Sequence, residues 1–99
     1  MLKEKVFELL IQIPKGKVTT YSELGRALGS KYLARVVGNA LNKNENPDRI
    51  PCFKVVKSNG DVGGFAFGQK EKIRRLERDG IKVKAGKVDL RIYLFVFKR

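Results

Sequence analysis

The sequence contains no histidine and a single cysteine, Cys52, among its 99 residues. One cysteine excludes an intrachain disulfide. A lone thiol without histidine also cannot assemble the usual nitrogen–sulfur ligand set of a zinc site, so no metal or other cofactor is expected. Long apolar runs are missing as well. The longest clear one, Tyr93 to Phe97, is far too short to cross a bilayer. The start, Met1-Leu2-Lys3-Glu4-Lys5, alternates charge and lacks the apolar centre of a secretory signal. These absences predict a soluble, cytoplasmic protein with no membrane partner. Acidic residues are scarce too. Ten Asp and Glu stand against 22 Lys and Arg, leaving a net charge of +12. Such an excess attracts polyanions through counterion release, and nucleic acid is the default polyanion of a cell. A Lys-rich thermophile surface is the plainer account, but that enrichment normally brings Glu with it. A ribosomal or RNA-binding module fits the charge equally well.

What is present describes one globular domain over residues 1–99. A hydrophobic share of 42% and a charged share of 32% are enough to bury a modest core and argue against disorder. Leu2, Val6, Leu9, Leu10 and Ile13 recur at helical spacing, predicting a helix over 2–13 that Pro14 closes. Val18-Thr19 reads as extended. Thr20-Tyr21-Ser22-Glu23 fits a capping box and opens a short helix over 21–28, ended by Gly29-Ser30. Leu33, Val36, Val37, Ala40 and Leu41 then mark one buried stripe of a helix over 31–43. A polar loop, Asn44 to Arg49, leads to the apolar run Ile50 to Val56, and Asn59-Gly60 carries a type I′ hairpin signal. Val62 to Gly68 is a Gly-rich aromatic loop, and a charged helix over 69–79 ends at Gly80. The tail holds two short β-like runs, at 81–83 and 87–89 around Ala85-Gly86, and then the apolar run Tyr93 to Phe97.

The outer face of the third helix is unusual. Lys31, Arg35, Asn39 and Asn42 lie on or near it, beside the small residues Ala34 and Gly38. A glycine inside a helix costs about 1 kcal/mol relative to alanine, so close approach of another backbone is expected to compensate. Two short helices joined by a tight turn, the second polar with small residues outward, describe a helix-turn-helix. Ordinary packed helical hairpins share this pattern, and an exposed polar helix face is commonly just solvated.

The run Ile50-Pro51-Cys52-Phe53-Lys54-Val55 resembles the active-site segment of the O6-alkylguanine-DNA alkyltransferases, whose pattern is Pro-Cys-His-Arg-Val. Gly16 to Leu24 is similar to the segment that opens their helix-turn-helix, and Ala34 to Leu41 with Asn44 to its continuation. Val62-Gly63-Gly64-Phe65 and the helix from Lys72 to Gly80 match in type and spacing, so the likeness runs from about Val6 to Gly80. It implies a small α/β, winged-helix-like domain with a helix-turn-helix and a short β-hairpin, equivalent to the C-terminal, DNA-binding half of members that carry a further N-terminal domain. Its partner would be double-stranded DNA, preferably containing O6-alkylguanine, engaged by a monomer through the minor groove. The alkyl group would pass irreversibly to Cys52. Tyr21 would donate to the departing guanine and Arg35 would fill the gap left by the flipped base. Asn44 would brace the active-site loop, while Val55, Phe65 and Ala66 would line the guanine pocket. Thr20, Tyr21, Ala34, Arg35, Gly38 and Asn39 would contact DNA.

Two features depart from that pattern. The histidine after the cysteine is Phe53 here, and its partner glutamate is represented by Asp79. Without the imidazole, activation of the thiol falls to groups such as Lys54, Lys57 or a helix dipole. Each site residue also has a plainer reading. Cys52 fits an inert buried thiol, Tyr21 a cap-adjacent aromatic, Gly63-Gly64 a turn, and Asp79 a salt-bridge partner. Two functions follow from the resemblance. One is a suicide alkyltransferase, and the other a non-enzymatic binder of alkylated DNA that signals to another repair pathway. A structural nucleoid or RNA-binding protein accounts for the charge but not for the motif.

Overall fold

The computed structural model describes residues 2–44, 49–65 and 67–98. Helix α1 (Leu2–Ile11) leads to strand β1 (Thr19–Thr20), helix α2 (Tyr21–Ala27), a 3-10 turn (Lys31–Leu33) and helix α3 (Ala34–Asn42). A second 3-10 turn (Cys52–Lys54) runs straight into strand β2 (Val55–Val56). Helix α4 (Gln69–Arg78), strands β3 (Val83–Lys84) and β4 (Lys87–Val88) and the short helix α5 (Leu90–Tyr93) complete the chain. Strands β1 and β2 pair in parallel, Thr19 opposite Val55 and Thr20 opposite Val56, so the α2–α3 pair is the crossover between them.

Because side chains alternate across a strand, β2 divides the interior. Val55 enters a helical core with Val6, Leu10, Ile13, Leu24, Val37, Ala40 and Phe97. Val56 enters a second core with Val18, Val62, Leu76, Ile81 and Val88. The cysteine turn therefore sits at the seam between both cores and is held from two sides.

The helix-turn-helix-like pair is built by local chemistry. Thr20 Oγ1 accepts from Glu23 N at 3.0 Å and caps α2, and Ser30 Oγ accepts from Tyr32 N at 3.2 Å to start the 3-10 turn. A side chain at Gly25 would stand 2.8 Å from Ser30 O, so that turn can fold back on α2 only over a glycine. Glu23 pairs with Arg26 and accepts from Phe97 N at 2.8 Å, pinning the tail to α2.

Several expectations need correction. Helix α1 stops at Ile11, although Ile13 stays in the core. The third helix opens as a 3-10 turn, and Val36 is 36% exposed, at the edge of a stripe whose buried members are Val37 and Ala40. Asn59-Gly60 makes no type I′ turn, since such a turn needs positive φ at both residues and only Gly60 has it. Gly60 instead allows β4 to approach, because a Cβ there would lie 2.6 Å from Val88 O. The hairpin is β3–β4, whose central residues Ala85 and Gly86 have φ of 52° and 74°. The run 93–97 is not a strand. Tyr93 ends α5, and the chain beyond it crosses β1 through one bridge, Val18 to Leu94.

Candidate nucleic-acid interface and cysteine pocket

One face of α3 and the cysteine turn border an open cavity of about 1130 Å³. Ala34, Arg35, Gly38, Asn39 and Asn42 form its helical wall. Cys52, Lys57, Gly64 and Phe65 form the opposite wall, with Tyr21 and Asn44 between. Of the residues assigned to DNA contact, Tyr21, Ala34, Arg35, Gly38 and Asn39 thus meet Cys52 and Asn44 in one place. No other described part of the chain comes within 4 Å of where a Gly38 side chain would begin. The close approach expected to compensate that glycine does not come from the protein itself, which leaves the α3 face open to a ligand.

The sulfur is half-buried at the head of its turn. Asn44 Nδ2 donates to Ile50 O at 3.2 Å, tying the end of α3 to the segment before the cysteine. Burial pushes the thiol above its ordinary pKa, while a hydrogen bond with Asn44 and the charges of Lys72 and Arg75 pull it down; burial wins. Tyr21, the first residue of α2, is likewise held above its usual phenol range by burial and by the neighbouring Cys52.

Lys72 is the group near the thiol that sequence reasoning passed over. It is 1% exposed, and its ammonium donates to Val55 O at 2.7 Å and Gly64 O at 3.0 Å without a carboxylate. Burial brings its pKa down to about 8, with Cys52 acting against that fall and Lys57 adding to it. A signal was present: Lys72 and Leu76 lie four residues apart on the buried stripe of α4, where an apolar residue belongs. Arg75 braces the adjoining wall. Its guanidinium lies 5.3 Å from the Phe65 ring centroid and 5.1 Å from that of Phe67, and Nε meets Glu71 at 2.8 Å.

Other assigned residues lie elsewhere. Thr20 is buried, with its hydroxyl committed to the α2 cap, so it has no free side chain for DNA. Val55 is fully buried in the helical core and does not line the cavity; only its carbonyl points that way, toward Lys72. Asp79 is also absent from the cavity. It accepts from Gly16 N at 2.8 Å and pairs with Lys54 Nζ at 3.0 Å. Lys54 is therefore occupied on the far side of the turn, and neither it nor Lys57 is among the groups that shift the thiol. Phe53 faces that far side too, in a separate cleft with Lys15, Glu71, Arg74 and Arg78. Ala66 falls outside the described residues. Among the described residues no cluster of three or more potential metal ligands occurs, and no helix is long and apolar enough to cross a membrane.

The fold thus presents a small-faced helix carrying Arg35 beside a half-buried thiol. Residues 1–81 match the family model for the DNA binding domain of 6-O-methylguanine DNA methyltransferase, and the chain belongs to that family. It is 48% identical over 90 residues to a bifunctional methyltransferase/endonuclease of Picrophilus torridus, covering 91% of this chain and 30% of that protein. A DNA base-flipping protein of Vibrio parahaemolyticus is 37% identical over 90 residues, covering 90% of each. The fold matches that of S. pombe Atl1, solved in complex with damaged DNA containing O6-carboxymethylguanine. The TM-score is 0.86 at 29% identity, over 95% of this chain and 94% of the other. The chain thus spans less than a third of the Picrophilus protein but nearly all of the smaller relatives.

Proposed function

We propose that this single domain binds duplex DNA as a monomer, turns an O6-alkylguanine out of the stack and accepts its alkyl group on Cys52. The meeting of Arg35, Tyr21 and Cys52 around one cavity carries this reading. Extruding a base costs a few kcal/mol, and an arginine on a small-faced helix is suited to occupy the vacated space. The sulfur then attacks the alkyl carbon, the bond from that carbon to O6 breaks, and the guanine leaves. Tyr21 supplies the proton the guanine takes up, balanced by the one the thiol gives away. Lys72 replaces the missing imidazole as the group that favours the thiolate. Its charge acts on the sulfur, and a pKa of about 8 lets it hold or release a proton near neutrality.

The test is to incubate the protein with O6-methylguanine duplex and weigh it. One methyl should be gained, and Cys52→Ala should abolish the gain. A second reading, a binder that holds the lesion without transfer, is favoured by two observations: the raised thiol pKa and the placement of Phe53 away from the sulfur. Unchanged mass after long incubation at alkaline pH, with lesion binding intact, would establish that reading instead.

A further inference from the structure

Among the described residues, every charged side chain lining the cysteine cavity is cationic: Arg35 on the helical wall and Lys57 on the wall that Cys52 also lines. Arg35 is committed by the proposed base extrusion, which leaves Lys57 without a task. Its place is well fixed. The turn after β2 is closed by Lys57 N to Asp61 O and Gly60 N to Lys57 O, both 2.8 Å. The aliphatic stem lies along Gly63, so that a side chain there would stand 3.7 Å from Lys57 Cγ and Cε. Lys72 Nζ is 3.8 Å from the same point, so the stem of Lys57 and the ammonium of Lys72 flank one spot next to Gly64 of the cavity wall.

Neither ammonium meets a carboxylate among the described residues. Lys72 spends its protons on two backbone carbonyls. The nearest acid in sequence to Lys57, Asp61, is engaged by Asn59 at 3.1 Å and by Lys87 at 3.8 Å. A surface lysine without a partner is ordinary; a lysine without a partner that lines a cavity next to a second, buried ammonium is not.

We infer that Lys57 makes this pocket selective for O6-alkylguanines whose substituent ends in an anionic group, a carboxylate above all. The inference rests on the lesion-flipping reading given above. Once the alkyl carbon is at Cys52, a substituent longer than methyl reaches into the cavity that Lys57 and Gly64 also line. A carboxylate there gains a charge-assisted hydrogen bond where DNA has displaced the screening water. A neutral end group of the same shape gains much less and leaves the ammonium uncompensated.

The experiment compares duplexes that differ only in that charge. Binding is measured on a Cys52→Ala background, so that transfer does not consume the lesion, using O6-carboxymethylguanine and its neutral amide, O6-carbamoylmethylguanine. The carboxylate should bind more tightly by on the order of tenfold, the effect of one charge-assisted bond. Lys57→Met should bring the ratio of the two affinities close to one, and Lys57→Arg should keep most of it. Equal affinity for both lesions, or a ratio that Lys57→Met leaves unmoved, would overturn the inference; a lysine that only contacts phosphate would give the second result. If neither lesion binds better than unmodified guanine, the flipping reading itself fails and takes the inference with it.

Discussion

Two lysines are buried on either side of the cysteine turn, and the protein treats them in opposite ways. Lys54 pairs with Asp79 at 3.0 Å and donates to Pro14 O at the same distance, so its charge is neutralised where it is buried. Lys72 is more deeply buried but has only carbonyl partners, and its charge reaches the thiol instead. The first arrangement locks α4 and the turn before β1 to the cysteine turn. The second accepts a desolvation penalty at the place where a free positive charge is chemically useful. Burial is common to both lysines, and the carboxylate partner is what separates them.

The comparison breaks most readily on the Lys54 side. Asp79→Ala leaves a buried ammonium uncompensated and should cost about 3 kcal/mol of stability. Adding Lys54→Met should recover most of that loss, because the lone charge is then gone. Urea denaturation of the two variants measures both steps; a cost under about 1 kcal/mol for Asp79→Ala would mean the pair is not structural.

On the other side the expected change is in chemistry. Lys72→Met should slow transfer at neutral pH by on the order of tenfold, because the thiol loses a charge that favours its ionised form. The rate in the parent should rise with pH, since the thiol pKa is raised, and the variant's curve should move to still higher pH. A merely structural role would lower the rate by one factor at every pH. Stability offers an independent check. Lys72 has a folded pKa of about 8 against an ordinary 10.5, so between these values the unfolded chain binds more protons. Parent stability relative to Lys72→Met should therefore rise as pH climbs through that window, by on the order of 3 kcal/mol. A flat difference would show that the lysine is not strained by burial.

Arg35 tests whether the open side of the cavity faces DNA at all. The side chain is exposed on α3, so Arg35→Ala should change stability by less than about 0.5 kcal/mol. Its preference for lesion over undamaged duplex should fall about tenfold if the arginine occupies the space of a flipped base. A uniform loss against both duplexes would reduce Arg35 to a phosphate contact.

Much of this was legible in the chain before folding, for reasons that differ by element. Helices α2, α3 and α4 announced themselves through caps and a 3.6-residue period, and the motif around Cys52 placed the thiol beside them. The tail was opaque, because Tyr93 to Phe97 is apolar enough for a strand and only the bonds to Val18 and Glu23 decide its path. The type I′ signal at Asn59-Gly60 misled, whereas the two β-like runs around Ala85-Gly86 do pair as the hairpin, with alanine at a φ of 52°. Lys72 was missed because a lysine in a charged helix reads as solvated. Lys54 was misjudged because adjacency in sequence to the cysteine says nothing about which side of a 3-10 turn a side chain takes.

That last point sets the smallest expected effect, at Phe53. The motif suggests that restoring histidine after the cysteine would restore a proton relay to the thiol. The structure turns residue 53 into the cleft of Lys15, Glu71, Arg74 and Arg78, where an imidazole would meet a carboxylate already held by Arg74 and Arg75. Asp79, the other acid there, is committed to Lys54 and to Gly16 N. With Phe53 packed against the second core, the exchange also removes apolar contact. Phe53→His should therefore raise the transfer rate at neutral pH by less than about threefold, far below the 10²–10⁴ that a positioned general base contributes. Single-turnover rates at pH 7 decide it, read beside the Lys72→Met rates. A tenfold or larger gain would mean that the turn can rotate to bring residue 53 to the sulfur, and the division between the two lysines would then be a property of this sequence and not of the fold.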